Sequence, residues 1–194
     1  MSSLEQLITW LKAHASDGAG ERRLPPVDKW NPEYCGLAGF EILRDGTWLH
    51  EGTRITREPM VRLFSSILRK DADGETYLVT PVEKVGIRVV DAPFVATDFT
   101  VSGEGREQVL TFTTHVDDVA MAGAEHPIRV VRDAETGEPS PYILIRANLE
   151  ALIDRKTFYR LVDICVHEMH AGRRWFGVWS SGMFFPIIPS DELA

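Results

Sequence analysis

Apolar positions along the chain change period several times, and each change marks an expected element. Leu4, Leu7, Ile8 and Leu11 recur at the spacing of one helical face and predict a helix over residues 3–15. Ser3 and Gln6 fit a capping box at its start, and Asp17-Gly18-Ala19-Gly20 ends it. Pro25, Pro26 and Pro32 withhold amide donors, so the stretch from Leu24 is expected to be an extended arm pinned by Trp30 and Tyr34. Phe40–Leu43 and Thr47–His50 flank Asp45-Gly46, a pair suited to a positive-φ turn, and predict a hairpin. Thr56 is expected to cap a helix running to about Lys70, with Met60, Leu63, Phe64, Ile67 and Leu68 on one side.

Val, Ile and Thr are enriched from Thr76 to Phe99, which reads as strands, as do Gln108–Val116 and Ile128–Arg132. The closing third repeats the earlier order. Tyr142–Ile145 is strand-like, Asp154 is placed to cap a helix running to about Met169, and Arg174–Ile188 returns to strand composition. A shift of 98 lays Ile55–Phe64 on Ile153–Val162, with the isoleucine, two arginines and a leucine identical. The expected architecture is α+β: an N-terminal helix over 1–20, a first module with its arm over 21–90, and a second module over 91–194. The modules read as two related copies of one hairpin–helix–strand unit.

Composition narrows the function classes. The chain has 194 residues, a 44% hydrophobic fraction and a net charge of -8. That is enough apolar material for a core, and the charge disfavours nucleic acid, whose affinity comes largely from Lys and Arg. Cys35 and Cys165 have no partner spacing and are expected to be buried free thiols. The start carries no basic-then-apolar leader, and no apolar run approaches the roughly 20 residues of a membrane span. A cytoplasmic location is the expectation.

Four words in order carry a resemblance: Pro25-Pro26-Val27-Asp28-Lys29-Trp30-Asn31-Pro32, Asp45-Gly46-Thr47-Trp48, Leu78-Val79-Thr80-Pro81-Val82-Glu83-Lys84-Val85, and Gly177-Val178-Trp179-Ser180-Ser181-Gly182. Over residues 21–189 the chain resembles the bacterial domain-of-unknown-function family 1285. The resemblance implies a duplicated α+β core, a second half of pleckstrin-homology type, and a regulatory or signal-transduction role with a site where the halves meet. It supplies no catalytic residues.

No residue set has the spacing of a catalytic or metal centre. His167 and His170 are three apart, where a zinc helix of the His-Glu-x-x-His kind needs four, and they read as helix-end residues. His115 with Asp117 and Asp118 reads as a solvated turn before a cation site. His50 and Glu51 are neighbours on a strand and face opposite ways. Ser180-Ser181-Gly182 lacks the order of a nucleophile elbow. The arginines of the repeat stand out: Arg57 and Arg62, with counterparts Arg155 and Arg160. Five helical residues turn roughly 140°, so only one of each pair could face a cleft and fork an anion. With Glu83, Lys84, Trp48 and Trp179 they form the candidate ligand or partner set.

The expected function is a non-catalytic binding or regulatory protein, without cofactor or metal, whose partner is a protein or a small anionic ligand. An enzyme acting on a small anionic substrate is the alternative, and nucleic-acid binding through a local arginine patch is the second.

Overall fold

In the computed structural model the described residues are 24–193, and they fall into two compact units. One is made of residues 24–43 and 47–90, the other of 44–46 and 91–193. The expected helix over 3–15 lies outside the described residues.

The first unit contains β1 (Tyr34–Ile42), β2 (Trp48–His50), β3 (Thr53–Arg54), α1 (Glu58–Ser66), β4 (Leu68–Lys70), β5 (Thr76–Val79) and β6 (Lys84–Val89). They form a six-stranded sheet in the order β3-β2-β1-β6-β5-β4, with β1 and β6 parallel and the other pairs antiparallel. The Asp45-Gly46 turn forms as its residue types require, with Gly46 at φ +82° and Leu43 N–H donating to Thr47 O at 2.9 Å. Phe64 of α1 packs against Phe40 and Trp48 on one face of the sheet, with ring centroids 5.0 and 6.1 Å away. Ile42, Ile67 and Leu78 complete a fully buried core there.

The second unit runs β7 (Phe94–Ser102), β8 (Val109–Thr114), β9 (Val119–Met121), β10 (Ile128–Arg132), β11 (Pro139–Arg146), β12 (Leu149–Ile153), α2 (Arg155–Val162), β13 (Val166–His170), β14 (Arg173–Ser180) and β15 (Met183–Pro189). Six strands form a sheet in the order β10-β11-β12-β7-β8-β9, and the last three form a separate antiparallel meander, β13-β14-β15. Asp154 caps α2 by accepting from Thr157 N–H at 2.7 Å.

Several expectations are corrected. The protein is mostly β, not α+β: the described residues hold fifteen strands against two α-helices of nine and eight residues. The helices read too long because Leu68 and Val166 continue a helical spacing yet begin strands β4 and β13. The cap of α1 is Arg57 rather than Thr56, and it makes no side-chain cap bond. The second half is not a pleckstrin-homology-type domain, because its helix sits mid-sequence between two sheets and its last strand belongs to a separate meander. Nor is it a plain second copy. Element starts at 58, 68, 76 and 84 recur at 155, 166, 173 and 183, within one residue of the 98-residue shift. In the first unit the following meander closes onto β1 through β6, whereas in the second β12 pairs in parallel with β7 and the meander stands apart. Cys35 is exposed, not buried; both thiols are free.

Candidate functional site

Five of the residues singled out in sequence lie in the first unit, and they divide between the two faces of its sheet. Trp48 is a core residue, 1% exposed, stacked on Phe64. Arg57 caps α1 from an exposed position, and Arg62 forms an i,i+4 ion pair with Glu58 at 3.8 Å. Lys84 lies on the opposite face, since it pairs across to Val79 while Val85 pairs with core Leu78. Its ammonium contacts Asp71 at 3.0 Å and sits 4.3 Å from the Tyr77 ring centroid. Glu83 is buried in the β5–β6 turn, where its backbone N–H donates to Thr80 Oγ1 at 3.2 Å. Trp48 and Lys84 are therefore not brought together.

Lys84 instead joins a fastening. Arg69 of β4 donates twice to Asp71, at 2.6 and 3.1 Å, and reaches the carbonyl oxygens of Val27 and Trp30 at 2.8 and 2.6 Å. The proline-rich arm, with no buried residue in its 3₁₀ turn Val27–Lys29, is thus tied to β4 by one guanidinium. The hydrogen bond from Arg69, opposed by burial and aided by Lys84, holds the Asp71 carboxyl below the ordinary aspartate range. Beside it Tyr77 donates to Asp73 at 2.7 Å, which pushes the phenol up to about 12.

In the second unit Arg155 and Arg160 are spent locally. Arg155 donates to Tyr159 Oη at 3.0 Å, one turn away. Arg160 ion-pairs with Asp98, donates to Phe99 O at 3.0 Å and lies over the Phe99 ring. Arg160 thereby fastens α2 to β7. Trp179 is half-buried on the last sheet, away from these fastenings.

Trp179 belongs to the meander. On β14, Trp175, Gly177 and Trp179 alternate onto one face, with Trp175 opposite Glu168 and Pro189, Gly177 opposite Val166 and Pro186, and Trp179 opposite Phe184. Both tryptophans are half-buried, spaced by four residues or roughly 13 Å. Gly177 is required between them: an added Cβ would lie 2.3 Å from Phe185 O and 2.7 Å from Phe184 Cζ. The Phe184 ring neighbours both Trp179 at 5.4 Å and His170 at 5.7 Å. Arg106 lies over Trp179 at 4.9 Å and ion-pairs with Glu168 at 2.9 Å. Arg173 lies 5.8 Å from Trp175 and binds Asp191 and Glu192. The other face of β14 is core, with Val178 and Ser180 fully buried.

The hydroxyls of the Ser180-Ser181 turn are structural. Ser180 Oγ donates to Ala122 O at 2.7 Å and accepts from Leu110 N–H at 2.9 Å, which ties the meander to the six-stranded sheet. Ser181 also donates to Ala122 O, at 2.9 Å. The remaining candidates are as local. His167 and His170 lie on strand β13, not at a helix end, and their spacing of three puts them on opposite faces. His115 accepts from Val95 N–H through Nδ1, and burial lowers its pKa; Asp118 pairs with Arg146. Burial pushes the Cys165 thiol up to about 12, leaving it a poor nucleophile. Among the described residues no group of three or more His, Cys, Asp or Glu could hold a metal, and no helix is long and apolar enough to cross a membrane.

Reading residue by residue missed Trp175, Gly177, Arg106 and the exposed strand β13. Tryptophans at alternate strand positions around a glycine were the available signal for the first two. Arg106 lies 73 positions before Trp179, and no local pattern joins them.

Known proteins place this arrangement in a family. Residues 25–92 match the N-terminal domain of DUF1285, a domain of unknown function, and residues 93–187 match the C-terminal domain of the protein of unknown function DUF1285. No curated protein matches. The crystal structure of a DUF1285 family protein from Silicibacter pomeroyi DSS-3 is 56% identical, covers 96% of this chain and 97% of its own, and superposes with a TM-score of 0.84. Another, from Shewanella baltica OS155, is 27% identical over 65% of this chain and 91% of its own, with a TM-score of 0.51. The chain belongs to the DUF1285 family.

Proposed function

We propose that this protein is a non-catalytic binding protein with a regulatory role, and that its partner is another protein, received on the β13–β14 surface of the meander. The observation that carries this is β13 itself. All five residues are exposed or half-exposed: Val166, at 45%, shares the face of Trp175 and Trp179, and Met169, at 64%, lies on the opposite face, so that a partner at this edge meets both. Exposed apolar side chains gathered on one strand next to half-buried tryptophans are the composition of an interface centre. Three of the candidate charges supply support from the other side, because Lys84, Arg155 and Arg160 are each engaged within their own unit.

Selection of a phage-displayed random heptapeptide library on the immobilised full chain tests this. A family of related peptides should emerge that binds the wild type and loses about tenfold or more on Trp175→Ala or Met169→Ala, a loss typical of a central interface residue. Circular dichroism should match the wild type in both variants. No enriched peptide, or enrichment unaffected by both substitutions, would refute the assignment.

A further inference from the structure

We propose that β13 takes an extended segment of the partner as a fourth strand of the β13–β15 sheet, and that this segment alternates acidic with apolar residues. The inference rests on the binding reading above and specifies its chemistry. β13 is the end strand of its sheet, and among the described residues no strand pairs with its outer edge. An antiparallel edge turns the N–H and C=O of alternate residues outward, which is a template for another strand. The Met169 N–H is met at 3.3 Å by the Glu168 carboxylate, whose other oxygen stays with Arg106. A partner carbonyl can replace the first contact and leave the second intact.

The other sheet ends offer less. β3 and β4 have two and three residues, and β4 carries the arm. β9 has three residues, and β10 lies against β15. β13 has five, with both faces open.

The charges choose the partner. The chain carries -8 overall, yet Arg173 and Arg174 stand beside this strand, whose one carboxylate, Glu168, is paired with Arg106. Arg173 is tied to Asp191 and Glu192, whereas Arg174 makes no ion pair among the described residues. Arg174 stands opposite Met169, and His167 lies two residues away on the same face. An incoming strand meets Arg174 with His167 and Met169 on that face, and on the other Val166 and Trp175, where Glu168 is already paired with Arg106 and Arg173 with Asp191 and Glu192. Alternating carboxylates and apolar side chains satisfy both at once.

The test is fluorescence anisotropy of the full chain with a fluorescein-labelled heptapeptide that alternates glutamate and valine. Saturable binding is expected. Methylating the backbone nitrogens that face the ladder should weaken it by about tenfold or more, since two or more main-chain hydrogen bonds are lost. Arg174→Glu, an exposed change that the fold tolerates, should weaken it by a similar factor and turn the preference toward a lysine–valine peptide. Absence of saturable binding, equal affinity for the methylated peptide, or indifference to Arg174→Glu would each overturn the proposal. If library-selected peptides bind through Trp175 yet tolerate N-methylation, strand addition fails while the binding reading stands.

Discussion

The meander β4–β6 and the meander β13–β15 follow their helices at corresponding places, one repeat apart, and they come to opposite ends. In the first, β5 is buried over all four residues, β6 joins β1 in parallel, and the outer strand β4 is fastened to the arm by Arg69. In the second, no strand outside the meander pairs with it among the described residues, and the outer strand β13 is exposed at four of its five residues. Element order is set by local pattern, but which edges close depends on residues far away in sequence. In the first unit the supply is β1 and the arm, which the Arg69 side chain ties beside the outer strand. In the second, β7 takes the parallel position beside β12, and the edge stays open. Edges left open in folded proteins are aggregation hazards unless guarded or used. Here Glu168 guards β13 from its own strand.

That contrast can be broken most severely at Gly177. Gly177→Ala forces a methyl group against Phe185 O, and overpacking of this kind costs about 1–3 kcal/mol, which should appear as a lowered denaturant midpoint. Ser180→Ala tests the tie between meander and sheet. It strands the buried Leu110 N–H, at a cost of about 1–3 kcal/mol, again read from the denaturant midpoint. A wild-type midpoint would show that the meander is held by other means.

Arg69→Ala tests the first unit's closure. The arm should open without global unfolding, and tryptic cleavage after Lys29 should accelerate by roughly tenfold or more, because hydrogen bonds to a charged group contribute about 1.5–3 kcal/mol. The same fastening has a pH signature of smaller size. The folded-state pKa of Asp71 is depressed, so its stabilising contribution is present above the ordinary aspartate value of about 3.9 and disappears as pH falls through the folded value. Arm protection should therefore be constant from neutral pH down to about 5 and decline below about 4, and Asp71→Asn should remove that dependence.

Much of the local order was legible in sequence. Asp45-Gly46 specified its turn, Asp154 specified the start of α2, and the 98-residue shift located the matching elements. Helix ends were not legible, because Leu68 and Val166 satisfy helical and strand spacing equally well. The arginines kept in both helices pointed to a site, but their burden is packing: Arg160 and Arg155 bond within α2 or to β7, and Arg62 pairs with its own helix. Identity between repeats marks shared structural tasks as readily as shared function. Sheet membership could not be read at all. The parallel partners of β1 lie 47 to 50 residues away and those of β12 lie 57 away, beyond any periodic signal.

The open edge is the central claim, and amide hydrogen exchange at β13 tests it most directly. With the glutamate–valine peptide in excess, the outward amide of Met169 should become strongly protected while the amides of β4, beside the arm that Arg69 ties down, remain unchanged. Exchange at Met169 that is indifferent to the peptide, or protection that appears at β4 instead, would show that β13 does not receive the strand.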